Sequence, residues 1–291
     1  MREEGFRPGR DFPIIDVHTH LFPPRLFAAV RRWFVESGSP VHYPMDPEEV
    51  AAALRARGVE QFWFFNYAHK PGMARDLNRW NAETASRLTG AHALGTIHPA
   101  DPDLIDIARE TLDLHHLMGF KLHLDVQKFP VDDPRLEPFL DLVEERGCVL
   151  LVHGGTAGSH FDKSLLGVAP IQRVLTKHPR LLLVVAHMGA YEVDDFLDLT
   201  QRYARVFIDT CVCIRRGHPE PRGFFYRVDY DVDALCRARE RVLFGSDFPN
   251  IGFSWEEEVD ELLHLGLDTD FYRKIFHDNA AALMNDLGRS V

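Results

Sequence analysis

The chain has 291 residues, of which 44 are acidic and 33 are basic, and its formal net charge is −11 at pH 7. A negative field of this kind repels phosphate backbones and anionic lipid heads, so the composition speaks against nucleic-acid and membrane partners. The longest aliphatic run, 181–186, is too short to span a bilayer, and residues 1–10 lack the apolar core of a secretory signal. We therefore expect a soluble, unprocessed, cytoplasmic protein that acts on a small molecule. The sequence leaves open a homo-oligomer such as a dimer.

The length predicts a single domain over 1–291, because barrels of roughly 250 residues commonly form one domain. A chain of this size buries roughly three quarters of the surface that its unfolded form exposes, so it needs no disulfide or structural metal to fold. The cysteines Cys148, Cys211, Cys213 and Cys236 lack the spacing of a disulfide framework or a zinc knuckle. We expect all of them to be reduced.

Eight short apolar or β-branched runs alternate with amphipathic stretches, a pattern typical of βαβ units. Helix starts are visible between them, for example Asp46-Pro47 and Asp133-Pro134, where a capping acid precedes a proline. The first run ends in His-Thr-His instead of the Gly-rich phosphate loop of an open, doubly wound sheet, so the pattern favours an α/β fold closed as a (β/α)₈ TIM barrel. The predicted strands are 13–20, 59–68, 92–99, 119–125, 148–155, 181–189, 205–211 and 242–249.

Three long connections, 21–45, 156–170 and 212–230, follow predicted strands one, five and seven. Loops that follow the strands of a barrel gather at its C-terminal face, where active sites are assembled. We expect these connections to cover the site. Trp33 and Phe34 in the first of them would either cover the site or pack a helix.

Side chains of the metal-binding type stand at the ends of several predicted strands. His18 and His20 are two residues apart, so both imidazoles point to one face of strand one. His153, His187 and Asp247 stand at the equivalent positions of strands five, six and eight. Imidazole combined with carboxylate suits zinc, iron, manganese or cobalt rather than calcium. The pattern predicts a divalent metal site at the mouth of the barrel.

These motifs resemble the amidohydrolase superfamily over essentially the whole chain. The resemblance lies in D-x-H-x-H at 16–20, the histidine closing strand five, AHMGA at 186–190 and FGSDFP at 244–249. The chain is most similar to the amidohydrolase-2 group. That group contains aminocarboxymuconate-semialdehyde decarboxylase, resorcylate-type decarboxylases and many metal-dependent hydrolases.

The resemblance implies a ligand set and a role for a further histidine. One divalent ion would be held by His18, His20, His153 and Asp247, with Zn²⁺ preferred and Mn²⁺, Fe²⁺ or Co²⁺ as alternatives. His187 would be a nearby acid or base rather than a metal ligand.

Strand four supplies further candidates. Its apolar residues at 120, 122 and 124 should face the outer helices, which turns Lys121 and His123 inward. In binuclear members of the superfamily a carboxylated lysine at this place bridges two metals, and Lys121 could do so here. We prefer one metal, with Lys121 or His123 contacting an anionic substrate. The alternative is an internal salt bridge.

Two reactions are compatible with these residues. The preferred one is hydrolysis of an amide, a lactone or another C–N or C–O bond in a small anionic substrate by an activated water, with Asp247 taking the proton and His187 stabilising the oxyanion. The alternative is non-oxidative decarboxylation of an aromatic or muconate-type acid, with His187 or Asp247 as proton donor. Arg215 is a candidate contact for the substrate. A third hypothesis, a catalytically inactive metal-binding barrel, predicts a degraded ligand set, whereas this set is complete.

Overall fold

The computed structural model describes residues 6–36, 41–44, 46–156, 162, 164–212 and 230–289. Each strand in these residues pairs in parallel with its neighbour in the chain, in two groups of three and five strands. The strands are β1 Ile14–His20, β2 Val59–Phe65, β3 Ala91–Ala93, β4 Gly119–His123, β5 Val149–His153, β6 Leu182–Val185, β7 Val206–Asp209 and β8 Val242–Leu243.

Two parallel bridges join the two groups into one ring. Gly95, just after β3, pairs with Phe120 of β4, and Thr19 of β1 pairs with Phe248, which follows β8. The eight strands therefore run in chain order around a closed barrel. This confirms the predicted (β/α)₈ fold.

Helices follow the strands, and their ends match the sequence signals. Asp46 caps α2 by accepting the N–H groups of Glu48 and Glu49. The segment opened by Pro134 begins with a short 3₁₀ turn, and α6 after it ends at Gly147, whose φ is 62°. The helices are α1 Pro24–Glu36, α2 Pro47–Arg55, α3 Ala74–Arg87, α4 Leu104–Asp113, α5 Leu124–Gln127, α6 Glu137–Arg146, α7 Val168–Lys177, α8 Val193–Arg202, α9 Val232–Arg237, α10 Trp255–Leu263, α11 Thr269–Arg273 and α12 Asn279–Asp286.

Alternation along the strands separates two apolar layers. In β5, Leu150 and Val152 pack in the outer layer with the helices, whereas Val149 and Leu151 belong to the cluster inside the barrel. Strands covered on both faces are the reason why these runs are almost entirely apolar. The inner cluster also contains Ile15, Val17, Trp63, Phe65, Leu94, Val184, Leu243 and residues of α12.

The connection after β1 and the end of β4 differ from the sequence prediction. The first one contains α1, so 21–45 is not an irregular loop. Strand four ends at His123, two residues earlier than predicted, because α5 begins at Leu124. Most of 156–170 is described, but 157–161 and 213–229 lie outside the described residues.

The described residues contain free cysteines and no helix of the membrane-spanning type. Cys148, Cys211 and Cys236 form no disulfide among the described residues. Cys213 lies outside these residues. In the part of the chain that is described, no helix combines the length and apolarity needed to cross a bilayer.

Candidate metal centre

Three side chains from β1 and the segment after β8 converge at the mouth of the barrel. Asp247 Oδ1 lies 3.4 Å from Nε2 of His18 and 2.9 Å from Nε2 of His20. One ligand atom of each residue lies within 4.8 Å of the others, and all three residues are buried. We call His18, His20 and Asp247 the ligand group.

An orphaned nitrogen shows that the ligand group fits a metal. His18 Nε2 is buried and has no hydrogen-bond partner among the described residues. A buried polar atom of this kind ordinarily has a partner. Two imidazole nitrogens beside a carboxylate oxygen are the donor set expected for a divalent transition metal, which would supply that partner.

Asp209, the last residue of β7, orients His18. Its Oδ2 lies 2.8 Å from His18 Nδ1, and its Oδ1 accepts the N–H of His187 at 2.8 Å. Burial lowers the pKa of His18 to about 3, so the ring is neutral at pH 7, with the Nδ1 proton donated to Asp209 and a lone pair on Nε2. Carboxylate support of this kind is typical of metal-binding histidines.

The carboxylates of Asp209 and Asp247 stay ionised although they are buried. Burial works to raise the pKa of Asp209, but its contacts with His18 and His187 hold that pKa well below its usual range. Burial likewise works to raise the pKa of Asp247, but the hydrogen bond from His20 and the nearby rings of His18 and His187 hold it at about 2. Asp247 can therefore bind a cation or accept a proton at neutral pH.

Left-handed backbone conformations concentrate at these strand ends. His187, Met188 and Asp247 have φ values of 57°, 51° and 60°. Such conformations cost about 1–3 kcal/mol each in residues other than glycine and tend to cluster at functional sites. At Asp247 the conformation is held by its N–H, which donates to the carbonyl of His18 at 2.8 Å.

The seam between β1 and β8 is built around the ligand group. A Cβ on Gly245 would lie 2.7 Å from Cβ of His18 and 3.3 Å from Cβ of Asp209, so a side chain there would displace the ligand. Asp16 of β1 accepts hydrogen bonds from Oγ of Ser246 at 2.5 Å and from the Ser246 N–H at 3.1 Å. Burial raises the pKa of Asp16 to about 7.

The opposite side of the mouth carries Lys121, His123 and His153. Lys121 and His123 face the cavity above the ligand group, as the alternation in strand four predicts. Lys121 is 1% exposed, and its Nζ lies 4.7 Å from the ring centre of Phe65 without a hydrogen-bond partner among the described residues. Burial lowers its pKa to about 8, so it remains a cation at pH 7. The predicted salt-bridge alternative is not observed in these residues.

His153 and His187 lie beside the ligand group. The ring of His153 stacks on that of His123 at 4.1 Å and lies 4.6 Å from the ring of His187, which is 4.9 Å from His18. His153 lines the cavity, but it is not among the three residues with mutually close ligand atoms. Its role as a fourth ligand stays a prediction. Arg215, the remaining predicted contact, lies outside the described residues.

Cys211 and Asp209 are functional candidates that the sequence analysis missed. The Cys211 thiol donates to Asp209 Oδ1 at 2.8 Å, and its Sγ lies 2.9 Å from Nδ1 of His187 and 3.2 Å from Nδ1 of His18. Both Nδ1 atoms already have oxygen partners, Asp209 for His18 and the Cys211 carbonyl at 3.2 Å for His187. We therefore interpret this cluster as a hydrogen-bonded support rather than a second metal site. The position of both residues at the end of a predicted strand was the available signal.

A closed parallel barrel with imidazoles and a carboxylate at its strand ends defines a barrel enzyme with a metal-type site. The amidohydrolase family profile matches residues 15–285, so the chain belongs to the amidohydrolase family, in its amidohydrolase-2 group. No significant match was found among curated proteins.

Solved structures share the fold over nearly the whole chain. An uncharacterised TIM-barrel protein from Bordetella bronchiseptica is 23% identical, with a TM-score of 0.73 and coverage of 96% of this chain and 100% of that chain. A 2,6-dihydroxybenzoate decarboxylase from Rhizobium is 18% identical, with a TM-score of 0.65 and coverage of 94% and 99%. A 5-carboxyvanillate decarboxylase from Novosphingobium aromaticivorans, complexed with manganese and 4-hydroxy-3-methoxy-5-nitrobenzoic acid, is 16% identical, with a TM-score of 0.65 and coverage of 94% and 96%. Identities this low establish the fold alone.

Proposed function

We propose that this protein is a metal-dependent enzyme that removes carbon dioxide non-oxidatively from a small carboxylic acid. The observation that carries the proposal is Lys121, a buried cation that faces the cavity without a hydrogen-bond partner among the described residues. A buried charge without such a partner is costly, and a substrate carboxylate would supply it. This reverses the preference for hydrolysis that the sequence suggested.

Proteins of the same fold support an aromatic or similarly unsaturated acid as the substrate. The structural relatives include decarboxylases named for 2,6-dihydroxybenzoate and 5-carboxyvanillate. Both names describe a carboxylate on an aromatic ring. Their low identity to this chain makes them a guide to the first compounds to assay rather than an assignment.

The proposed metal ligands are His18, His20 and Asp247, with His153 as the fourth. When bound, the ion would polarise an oxygen of the substrate as a Lewis acid. We propose one ion, with Zn²⁺ preferred on the donor set and Mn²⁺ as the first competitor because one structural relative was complexed with it. Metal analysis after reconstitution should give one ion per chain, whereas two ions with a carboxylated Lys121 would establish a binuclear centre.

The remaining steps fall to side chains of this protein. Lys121 would hold the carboxylate, and the carbon–carbon bond to that group would break to release carbon dioxide. The electron pair left on the substrate carbon would take a proton from the imidazolium form of His187, which would become neutral. Because His187 Nδ1 faces the Cys211 carbonyl, Nε2 is the ring nitrogen proposed to exchange the proton. Burial lowers the pKa of His187, and the neighbouring carboxylates of Asp247 and Asp209 oppose this effect.

Hydrolysis is the second candidate, favoured by a different observation. Asp247 is ionised beside the ligand group, so it could take a proton from an attacking water. His187 would then stabilise the developing oxyanion, as the sequence analysis expected.

One assay separates the two reactions. Protein loaded with Zn²⁺ or Mn²⁺ is incubated with ¹³C-carboxyl-labelled hydroxybenzoic and muconate-type acids, and separately with lactones and anilides in ¹⁸O-water. We expect labelled carbon dioxide from at least one acid. Turnover of a lactone or an anilide alone, with ¹⁸O in its acid product, would establish the hydrolase instead. Stoichiometric metal binding with neither reaction would support the inactive barrel, and metal-free protein is the control.

A further inference from the structure

Helix α1 carries an apolar face that the rest of the described protein covers only in part. Leu26, Val30 and Phe34 recur at helical spacing, with Trp33 beside them, and we call these four residues the α1 face. None of the residues of α1 is buried, and Trp33 is 50% exposed. Amphipathic helices usually bury such a stripe against a core. Here Leu26, Val30 and Phe34 are partly buried against a small cluster around Phe22, and Leu26 also packs against the main core.

The α1 face lines the same cavity as the ligand group. Ile251 and Phe253, from the segment after β8, also line this cavity. Lys121 and the ligand group lie at its inner end, among the strand termini. The cavity is therefore apolar along α1 and charged and polar around the ligand group, and His69, Asp125 and Lys128 line it as well.

The size of the cavity allows a ligand that reaches both ends. Its volume is about 570 Å³. Sites for drug-sized molecules measure roughly 300–1,000 Å³. A substrate held at Lys121 has room to place a further group on the α1 face.

We propose that the substrate is an amphipathic acid whose carboxylate lies at Lys121 and whose apolar substituent, at least as large as a phenyl ring, packs on the α1 face. The inference rests on the proposed function, because it takes the ligand group and Lys121 as the place of reaction. It adds the chemical class of the rest of the substrate. Each methylene that leaves water on binding should tighten binding roughly fourfold, the fold-change equivalent to about 0.8 kcal/mol.

Hydroxamic acids test this without turnover, because their head group chelates a metal and their tail can be varied. The probes are acetohydroxamic, hexanohydroxamic and 4-phenylbutanohydroxamic acid, titrated calorimetrically into protein loaded with Zn²⁺. We expect the two long probes to bind at least about tenfold more tightly than acetohydroxamic acid, since several methylenes are buried. Equal affinity for all three overturns the inference.

Two valines of α1 give a matched pair of variants. Val30 lines the cavity, whereas Val35 is 57% exposed and is not among the lining residues. Val30→Ser should weaken the long probes at least about threefold and leave acetohydroxamic acid unchanged, whereas Val35→Ser should change neither. Trp33→Ala, at a position that is 50% exposed, should act like Val30→Ser and serves if the latter fails to fold.

The outcomes separate this inference from the proposed function. If no hydroxamic acid binds the metal-loaded protein, the metal centre is wrong and both proposals fall. If acetohydroxamic acid binds but the long probes gain nothing, only the amphipathic substrate is overturned. Light scattering tests the alternative that a second copy of the chain packs on the α1 face. A change of oligomeric state in Val30→Ser, with unchanged affinity for the long probes, would establish that alternative.

Discussion

The two sides of the barrel mouth differ in how their side chains are held in place, although His18 Nε2 and His20 Nδ1 on the first side also lack a hydrogen-bond partner among the described residues. On the side of β1, β7 and β8, Asp209 holds His18, and the N–H of Asp247 is bonded to the carbonyl of His18. On the side of β4 and β5, Lys121 has no hydrogen-bond partner in the described residues, and His123 stacks on His153.

The difference separates two tasks within one site. Ligands for a metal must be held in fixed orientation before the ion arrives, which requires supporting hydrogen bonds. A group that binds substrate must instead keep its bonding capacity until the substrate arrives. We infer that the first side supplies most of the metal ligands, with His153 as the proposed fourth ligand from the second side, and that Lys121 on the second side receives the anion. The following changes test that division.

Asp247→Asn should have the largest effect. The amide keeps the shape but loses the charge that binds the cation, and in the hydrolytic alternative it also removes the base. Turnover should therefore fall about 10²–10⁴-fold. Initial rates on whichever compound the labelling assay shows to be turned over, with metal content measured in parallel, check this. Asp101→Asn, which changes a buried carboxylate that does not line the cavity, is the control. A loss below about tenfold would contradict the role of Asp247.

Asp209→Asn should weaken metal binding about 10–100-fold without removing a ligand. The amide nitrogen can donate to His18 Nδ1, which would favour the tautomer with the proton on Nε2. That proton would occupy the lone pair that binds the metal. Competition with a chelating dye measures the affinity. An affinity within twofold of the unmodified protein would show that Asp209 does not orient His18.

Lys121→Met should reduce kcat/KM at least about tenfold, because a hydrogen bond to a charged group contributes about 1.5–3 kcal/mol. Metal affinity should stay unchanged, since Lys121 is not among the proposed ligands of a single ion. The Tm should stay constant or rise, because a buried charge is removed. Lys177→Met on the exposed end of α7, where Lys177 pairs with Glu137, is the control. A large loss of metal would place Lys121 in the metal centre instead.

The pH dependence of kcat/KM should reflect the titration of Lys121. Lys121 has a pKa of about 8, lowered by burial, so it is charged below that value and loses its proton above it. Carboxylate binding should therefore decline as the pH rises through about 8, approaching a tenfold loss for each further pH unit. This alkaline limb should be absent in Lys121→Met, and its persistence there would assign it to another group.

Cys211→Ser should have the smallest effect. A hydroxyl can still donate to Asp209, so metal affinity should change less than about threefold if Cys211 is only a hydrogen-bonding support. Competition with the same chelating dye provides the measurement. A loss of tenfold or more would mean that Cys211 is a metal ligand together with His18 and His187.

The fold and most of the site could be predicted because strand ends are visible in sequence. His18, His20, Lys121 and His123 line one cavity, which is the placement that alternation along their strands predicts. Strand ends near the site were predicted less well, since the run 242–249 continues past β8 in an irregular path that includes the left-handed Asp247.

Asp209 and α1 show why the rest was missed. A single Asp after an apolar run looks like any strand end, and its importance comes from a hydrogen bond to His18, which is distant in sequence. The 21–45 connection contains the helical spacing of Leu26, Val30 and Phe34. Its length and composition suggested a loop, and only tertiary placement shows that this spacing faces a cavity.

The seam between β1 and β8 has a consequence for how the protein unfolds. Its residues come from the first and last strands, so closing the barrel there joins the two ends of the chain, at the entropic cost of a very long loop. An ion bound by His18, His20 and Asp247 would cross-link those ends and offset part of that cost. Metal loading should thus protect β1 and β8 most strongly from local opening, and loss of the ion should make this seam the first part of the barrel to exchange its amide hydrogens.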